Sequence, residues 1–443
     1  MPTFSCDEGY FLAIEDHFWI SSVELKPGML NDAGTKVAVA LALSALVYYV
    51  GSKNTTKPAA SSSKEGPRKL SLVQGQGSGF GPKDSVTVRV PATTANMGPG
   101  FDCIGMAVDI WNELTVERAD AFSLTNEGEG SDVLPTDETN LVVVGLKAAF
   151  NAAGQDLPLL RIHCRNRIPF ARGLGSSSAG IVAGIIAGLV IAGHELSVLG
   201  KEELLQLAAN IEGHPDNVAP CIYGGLQLVK PILRTNHDVP LNAFACWCFV
   251  HPQGIFTDDR WYSSRVQFPS TMQCVLFIPE TTGQTSVARS ILPKKIDRAD
   301  AVFNIGRSAI LVNALRNGNY NELRHATQDK LHQPQRGAEQ YTHLFPLVDA
   351  ALEAGAHACF LSGAGPTVLA ICSGKSGDIF TQVAAERDET KVADAMREAA
   401  ASVGVQGCVF ITNPEHRGAH IVRVSPKISD HLVARYEGDI TDL

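Results

Sequence analysis

The strongest chemical signal in the chain is the segment Pro169-Phe-Ala-Arg-Gly-Leu-Gly-Ser-Ser-Ser-Ala179. Gly173 and Gly175 let the backbone turn tightly and approach a ligand with no Cβ in the way. Ser176, Ser177 and Ser178 add hydroxyl groups, and the small, apolar run Ala179–Ala192 that follows reads as a buried helix. A Gly/Ser loop that opens a helix aims N–H groups and the positive helix end at one point, which suits a phosphate. No Gly-Lys-Ser/Thr follows the glycines, so the segment is not a Walker loop. An ordinary tight turn into a packed helix fits the same letters, and support has to come from other segments.

Five such segments exist. Pro91-Ala-Thr-Thr-Ala-Asn-Met-Gly-Pro-Gly-Phe-Asp102 fixes a non-repetitive backbone and aims Asn96 and Asp102, short polar groups suited to an amino group or a hydroxyl, although an Asx turn serving its own backbone fits as well. Glu212-Gly-His-Pro-Asp-Asn217 closes a helix; a carboxylate there can complete a Mg²⁺ site with a serine oxygen and nucleotide phosphates, because Mg²⁺ needs few protein ligands. His214 has no companion ligands nearby and reads as a cap or packing residue. Leu361-Ser-Gly-Ala-Gly-Pro-Thr367 places Gly363 and Gly365 directly after an apolar strand, either over phosphates or as a plain strand connection. Arg289, in Thr285-Ser-Val-Ala-Arg, and Arg336, in His332-Gln-Pro-Gln-Arg, are forks suited to a carboxylate.

The elements that must hold these segments are a mixture of strands and helices. Strands are expected at Ser85–Val90 (ended by Pro91), Ala107–Glu117, Leu159–Asn166, Leu226–Val229, Phe244–Val250, Val275–Ile278, Ala358–Leu361, Val368–Cys372, Val409–Ile411 and His420–Val424. Helices are expected at Asn140–Ala153, Lys201–Glu212, Ala299–Asn317, Phe345–Ala354 and Asp388–Val403. Two α+β domains follow, 85–240 and 241–430. The 443 residues are 45% hydrophobic and 19% charged, as in a globular enzyme, and the net charge of −9 argues against a general nucleic-acid binder. Ten cysteines form no CxxC pair and read as free thiols in a reducing compartment, Cys246 and Cys248 included.

Residues 1–84 differ from this body. Val37–Val50 is an uncharged run of 14 residues, too short for a membrane span and better suited to a signal-type or anchoring segment. A Ser/Thr/Lys/Gly-rich linker, Gly51–Lys83, follows. Together they suggest a two-part plastid-targeting leader that contacts a membrane or a targeting receptor; a cytoplasmic protein with a poorly ordered extension is the alternative.

In this order, VRVPATTANMGPGFD, DETN (137–140), PFARGLGSSSA, EGHPDNVAP and LSGAGPTVL resemble the GHMP family of small-molecule kinases, and within it the homoserine-phosphorylating branch. The likeness runs from about Val86 to Val424. It implies a ribosomal-protein-S5-like N-terminal domain, a ferredoxin-like C-terminal domain and a homodimer as one form of assembly. It also implies ATP bound by Pro169, Arg172, Gly173, Leu174, Gly175, Ser176, Ser177, Ser178 and Ala179, with Gly363 and Gly365 opposite, and Mg²⁺ on Ser177 and Glu212. L-Homoserine would be held by Asn96, Asp102, Thr285, Arg289 and Arg336. Asn217 stands where relatives carry an aspartate base, so Asn217 and Asp102 would aim the hydroxyl without a strong base. Met97 departs from the family's usual leucine, a tolerated apolar swap. A kinase for another small alcohol, or a non-catalytic sensor with this fold, are the alternative readings.

Overall fold

The computed structural model describes residues 82–194, 198–232, 260–373 and 388–426. The expected leader, its hydrophobic run, the Phe244–Val250 strand and the Cys246/Cys248 pair lie outside these residues. Eleven strands are described: β1 Ser85–Ala95, β2 Ile104–Arg118, β3 Ser123–Gly128, β4 Leu160–Asn166, β5 Leu226–Ile232, β6 Arg260–Val266, β7 Met272–Pro279, β8 Ala358–Leu361, β9 Val368–Ser373, β10 Gly407–Thr412 and β11 His420–Ser425. The α-helices are α1 Leu141–Ala153, α2 Ser176–Ile191, α3 Val198–Glu212, α4 Val218–Tyr223, α5 Thr285–Ser290, α6 Arg298–Asn317, α7 Leu323–Ala326, α8 Gln333–Glu339, α9 Leu344–Glu353 and α10 Asp388–Ser402.

The strands form two sheets. The first follows the order β11-β1-β2-β4-β3, with β5 paired to β2 and β6 to β5. The second has the order β10-β7-β9-β8, all antiparallel. Counted along the second sheet the order is 4-1-3-2, the ferredoxin-like arrangement, with α9 and α10 packed on it. The sheets do not divide at the expected 240/241 break: β6 and the returning β11 both join the first sheet.

Strand β1 does not end at Pro91 but continues to Ala95. Its register with β2 shifts between Pro91 and Ala92, and a bulge is a place where a strand tolerates proline. The extension matters, because it delivers Thr93 and Asn96 to the centre of the molecule. Helix α2 starts at Ser176, three residues before the expected Ala179, so the three serines belong to its first turn. Thirteen of its sixteen residues are buried, as an all-round apolar sequence requires. It packs closely on α1: a Cβ on Gly145 would lie 2.5 Å from the Ile181 carbonyl oxygen, so the two helices meet backbone to backbone. The seven cysteines among the described residues are free thiols.

Candidate active site

A cavity of about 550 Å³ brings together segments that lie far apart in sequence. Its wall carries Gly173, Gly175, Ser176, Ser177, Glu212 and Asn217 together with Asn96, Thr285, Arg289, Arg336, Gly363 and Gly365. All of these were expected from sequence.

The Gly/Ser loop owes its shape to two left-handed glycines, Gly173 (φ 75°) and Gly175 (φ 71°). Gly175 is the N-cap of α2 and provides no side-chain cap, so the first-turn N–H groups are left for a ligand. The Gly363–Gly365 turn does not stand across a gap from this loop; it is packed against it. Ser362 Oγ donates to the Gly173 carbonyl at 2.7 Å, and Gly363 N donates to the Ala95 carbonyl at 2.8 Å. A Cβ on Gly175 would collide with Thr93 Oγ1, whereas a Cβ on Gly154, also left-handed, would meet nothing within 4 Å. Gly154→Ala should therefore lose about 1 kcal/mol of stability from backbone strain alone, and Gly175→Ala roughly 2 kcal/mol or more. Denaturant unfolding of the two variants checks this; equal losses would disprove the close approach.

Ser177 and Ser178 both reach Glu212. Their hydroxyls donate to the same oxygen, Oε1, at 2.6 and 3.0 Å. Burial drives the Glu212 carboxyl above the usual carboxylate range, against the opposing pull of those hydroxyls and His214. A carboxylate kept in such a place, beside a serine hydroxyl and free helix N–H groups, is a hard-oxygen donor set that fits Mg²⁺ completed by phosphates and water. Among the described residues no group of three His, Cys, Asp or Glu side chains could hold a metal by itself. His214 Nδ1 lies 2.8 Å from Asp216 Oδ1 and also borders the cavity. Burial works to lower its pKa, but Asp216 and Glu212 outweigh burial and raise it.

The charged end of the site centres on Phe101. Arg289 and Arg336 both lie over its ring, 5.4 and 5.5 Å from the centroid. Arg289 is a fork on Asp102, with Nη1 to Oδ2 and Nη2 to Oδ1 both at 2.8 Å. That pairing raises the Arg289 pKa against the effect of burial. Asp102 therefore reaches the cavity through Arg289 and is not itself on its wall. Arg336 is 1% exposed and has no carboxylate partner among the described residues. Its Nε donates to the Ala288 carbonyl and its Nη1 to the Gly363 carbonyl, and burial lowers its pKa to about 10. A buried guanidinium without an anion, beside a second arginine, is a site built for an anion.

The loop between β1 and β2 closes on itself. Asn96 and Asp102 both adopt left-handed backbone (φ 55° and 56°), and Asn96 Oδ1 accepts the Asp102 N–H at 2.8 Å. The side-chain bond spans six residues and is not an Asx turn, and Asn96 still borders the cavity. Asn217 Oδ1 accepts from Thr93 Oγ1 at 2.8 Å, which leaves its Nδ2 as the group to offer a ligand.

Five residues expected at the nucleotide have no side chain on the cavity wall. Leu174 and Ala179 are fully buried in the core, Pro169 is buried, and Ser178 acts through Glu212. Arg172 turns away: its Nε donates to the Pro279 carbonyl at 2.8 Å and its Nη2 to the Glu280 carbonyl at 3.0 Å, while Nη1 reaches Glu129. It ties the Gly/Ser loop to the segment leading into α5. Conversely, Asn112, Asn140, Asn166 and Phe170 also line the cavity. Phe170 belongs to the Gly/Ser segment itself, and Asn140, which caps α1 through Val142 N at 2.9 Å, was read as a helix start. The asparagines on β2 and β4 belong to no spaced motif and become neighbours only through sheet pairing, as Asn112 Nδ2 does with Asn166 Oδ1 at 3.2 Å.

The chain matches two family models, "GHMP kinases N terminal domain" over residues 140–225 and "GHMP kinases C terminal" over residues 311–402. A homoserine kinase of Desulfitobacterium hafniense is 37% identical over 342 residues, covering 76% of this chain and all of the relative. A homoserine kinase of a Synechococcus strain is 36% identical over 345 residues, 76% of this chain and 95% of the relative. Among solved structures, a homoserine kinase from Cytophaga hutchinsonii aligns with a TM-score of 0.61 at 26% identity, covering 77% of this chain and 98% of that one. The chain belongs to the GHMP kinase family, in the company of these homoserine kinases.

Proposed function

We propose that the chain transfers the terminal phosphoryl group of ATP to the side-chain hydroxyl of L-homoserine, giving O-phospho-L-homoserine and ADP, a step of threonine biosynthesis. The carrying observation is a single cavity bordered both by the glycine/serine loop with Glu212 and by Arg289, paired with Asp102, beside a buried Arg336 that has no carboxylate partner among the described residues.

Each end of an α-amino acid finds a group of opposite charge. The carboxylate goes to Arg336 and Arg289. The ammonium goes to Asp102, in exchange for the Arg289 fork that now occupies it. A zwitterion replaces both halves of the broken pair, whereas a simple alcohol replaces neither. With the charged end fixed, the hydroxyl is directed toward Asn217 and the Gly/Ser loop. Asn217 Nδ2 can donate to the hydroxyl oxygen but its amide cannot take a proton, so the hydroxyl proton leaves for a phosphate oxygen during transfer. Such a loose transfer needs alignment and charge neutralisation more than a base. Ser177 and Glu212 would hold Mg²⁺, which supplies charge neutralisation to the phosphates when bound.

Coupled ADP-release assays with homoserine, mevalonate, galactose and threonine test the reading, and no turnover with homoserine sinks it. Asn217→Ala should lower kcat by about 10- to 100-fold through lost orientation of the hydroxyl. An unchanged kcat would remove Asn217 from that role.

A further inference from the structure

His332 is buried completely, touches neither cavity nor solvent, and joins the two halves of the charged site. It is the N-cap of α8, one turn before Arg336, so the helical spacing sets the two side chains side by side. Arg336 Nη1 lies 3.2 Å from His332 Nδ1, and His332 Nε2 lies 2.8 Å from the Gly98 carbonyl oxygen. A guanidinium only donates, so Nδ1 must be bare. A carbonyl only accepts, so Nε2 must carry the proton. The two contacts select one neutral tautomer, and an imidazolium would turn an N–H group toward the Arg336 fork. Burial lowers the His332 pKa in the same sense, against the opposing pull of the Asp329 carboxylate, whose Oδ2 lies 3.5 Å from Nε2.

The ring is also held from behind. Asp329, itself buried, accepts the backbone N–H groups of Leu331, His332 and Gln333 at 2.7–3.0 Å and the Asn304 amide at 2.6 Å. Asn304 donates in turn to the Pro99 carbonyl at 3.2 Å. Gly98 and Pro99 belong to the loop that carries Asn96 and Asp102. That loop sits directly on the chain leading to His332, since a Cβ on Gly98 would fall 2.7 Å from Thr327 Cα.

We propose that His332 is a positioning residue that sets the span between Arg336 and the Asp102 loop, and so selects substrates carrying an α-carboxylate and an α-ammonium at amino-acid spacing. The proposal rests on the reading that Arg336 takes the substrate's carboxylate. Two variants separate the two contacts. In His332→Gln the terminal amide can still donate to Gly98 but offers Arg336 no acceptor at the Nδ1 position. In His332→Asn the side-chain oxygen replaces Nδ1 but no donor reaches Gly98.

His332→Gln should raise the KM for L-homoserine about tenfold or more, with kcat and the KM for ATP within about threefold of wild type. His332→Asn, which keeps an acceptor for Arg336 but loses the tie to Gly98, should also raise the homoserine KM, because the span needs both contacts; a wild-type KM in His332→Asn overturns the Gly98 half of the relay. 3-Aminopropan-1-ol, which has the ammonium and hydroxyl but no carboxylate, is the control, used as a competitive inhibitor against homoserine. Its inhibition constant should not change in His332→Gln. An unchanged homoserine KM in His332→Gln overturns the proposal, and so does a KM that rises together with the KM for ATP or the aminopropanol constant. Nitrogen-15 NMR of the imidazoles, with His332 assigned by its loss in His332→Asn, reads the relay independently of substrate. A neutral ring protonated on Nε2 at pH 7 is expected; protonation on Nδ1 overturns the relay. A wild-type protein that shows this tautomer but does not turn over homoserine would sink the reading of the site and leave the relay intact.

Discussion

Arg336→Ala is expected to raise the KM for L-homoserine by about two to three orders of magnitude while the KM for ATP stays near wild type. The size follows from what the side chain lacks. Arg336 spends its Nε and Nη1 on the Ala288 and Gly363 carbonyls and on His332, and none of these carries a negative charge. No carboxylate among the described residues contacts it, so a carboxylate arriving on the cavity side becomes its first ionic partner and meets a guanidinium already out of water. Arg289 differs, because it must first release Asp102 and so exchanges one carboxylate for another. Arg289→Ala should accordingly cost less than Arg336→Ala. Truncation of Arg336 opens a guanidinium-sized space that borders the cavity, so added guanidinium ion at millimolar concentration should restore part of the lost affinity. Steady-state kinetics with and without guanidinium decides the matter: a KM within threefold of wild type would mean that the carboxylate does not sit here.

What could be read in the sequence follows the range of the forces involved. A left-handed turn is a demand that one residue meets alone, so Gly173, Gly175, Gly363 and Gly365 were visible in the letters. Helices α9 and α10 announced themselves by period. Glu212 could be read as a metal ligand from its place at a helix end, and the family resemblance named Ser177 as the serine it would share the metal with. The failures are non-local. Pro91 reads as a strand end, and only the opposing strand's register reveals the bulge that absorbs it. Strand β3 is mostly exposed and lacks alternation, and it exists because β4 offers a parallel edge. Arg172 reads as a phosphate ligand from its place in the loop, yet the Pro279 and Glu280 carbonyls, more than a hundred residues on, claim its fork. The Asp102–Arg289 pair is of the same kind. Both residues were expected to meet the substrate, and nothing in either local sequence says that they meet each other first.

Glu212→Gln is expected to lower kcat with Mg²⁺ and ATP by about two orders of magnitude or more, and to leave the protein as stable as wild type or more so. The two effects share one cause. Glu212 is kept where burial disfavours its charge, and the two serine hydroxyls on Oε1 compensate only in part. Glutamine keeps an oxygen for both hydroxyls and removes the charge, so the fold loses a cost while the site loses its anionic metal ligand. The pH dependence has a definite sign. The folded-state pKa lies above the unfolded value, so the carboxyl's contribution to stability is fully present below the unfolded pKa and is lost as pH rises through the folded one. The melting temperature of Glu212→Gln should therefore match wild type in acid and equal or exceed it at neutral pH. Mg²⁺ with ATP should raise the wild-type melting temperature at pH 7 clearly more than that of the variant, because only the ionised carboxylate gains a partner. A variant that melts well below wild type at pH 7, or one that keeps its kcat within threefold, would show that Glu212 is a structural residue and that the metal is held by other groups.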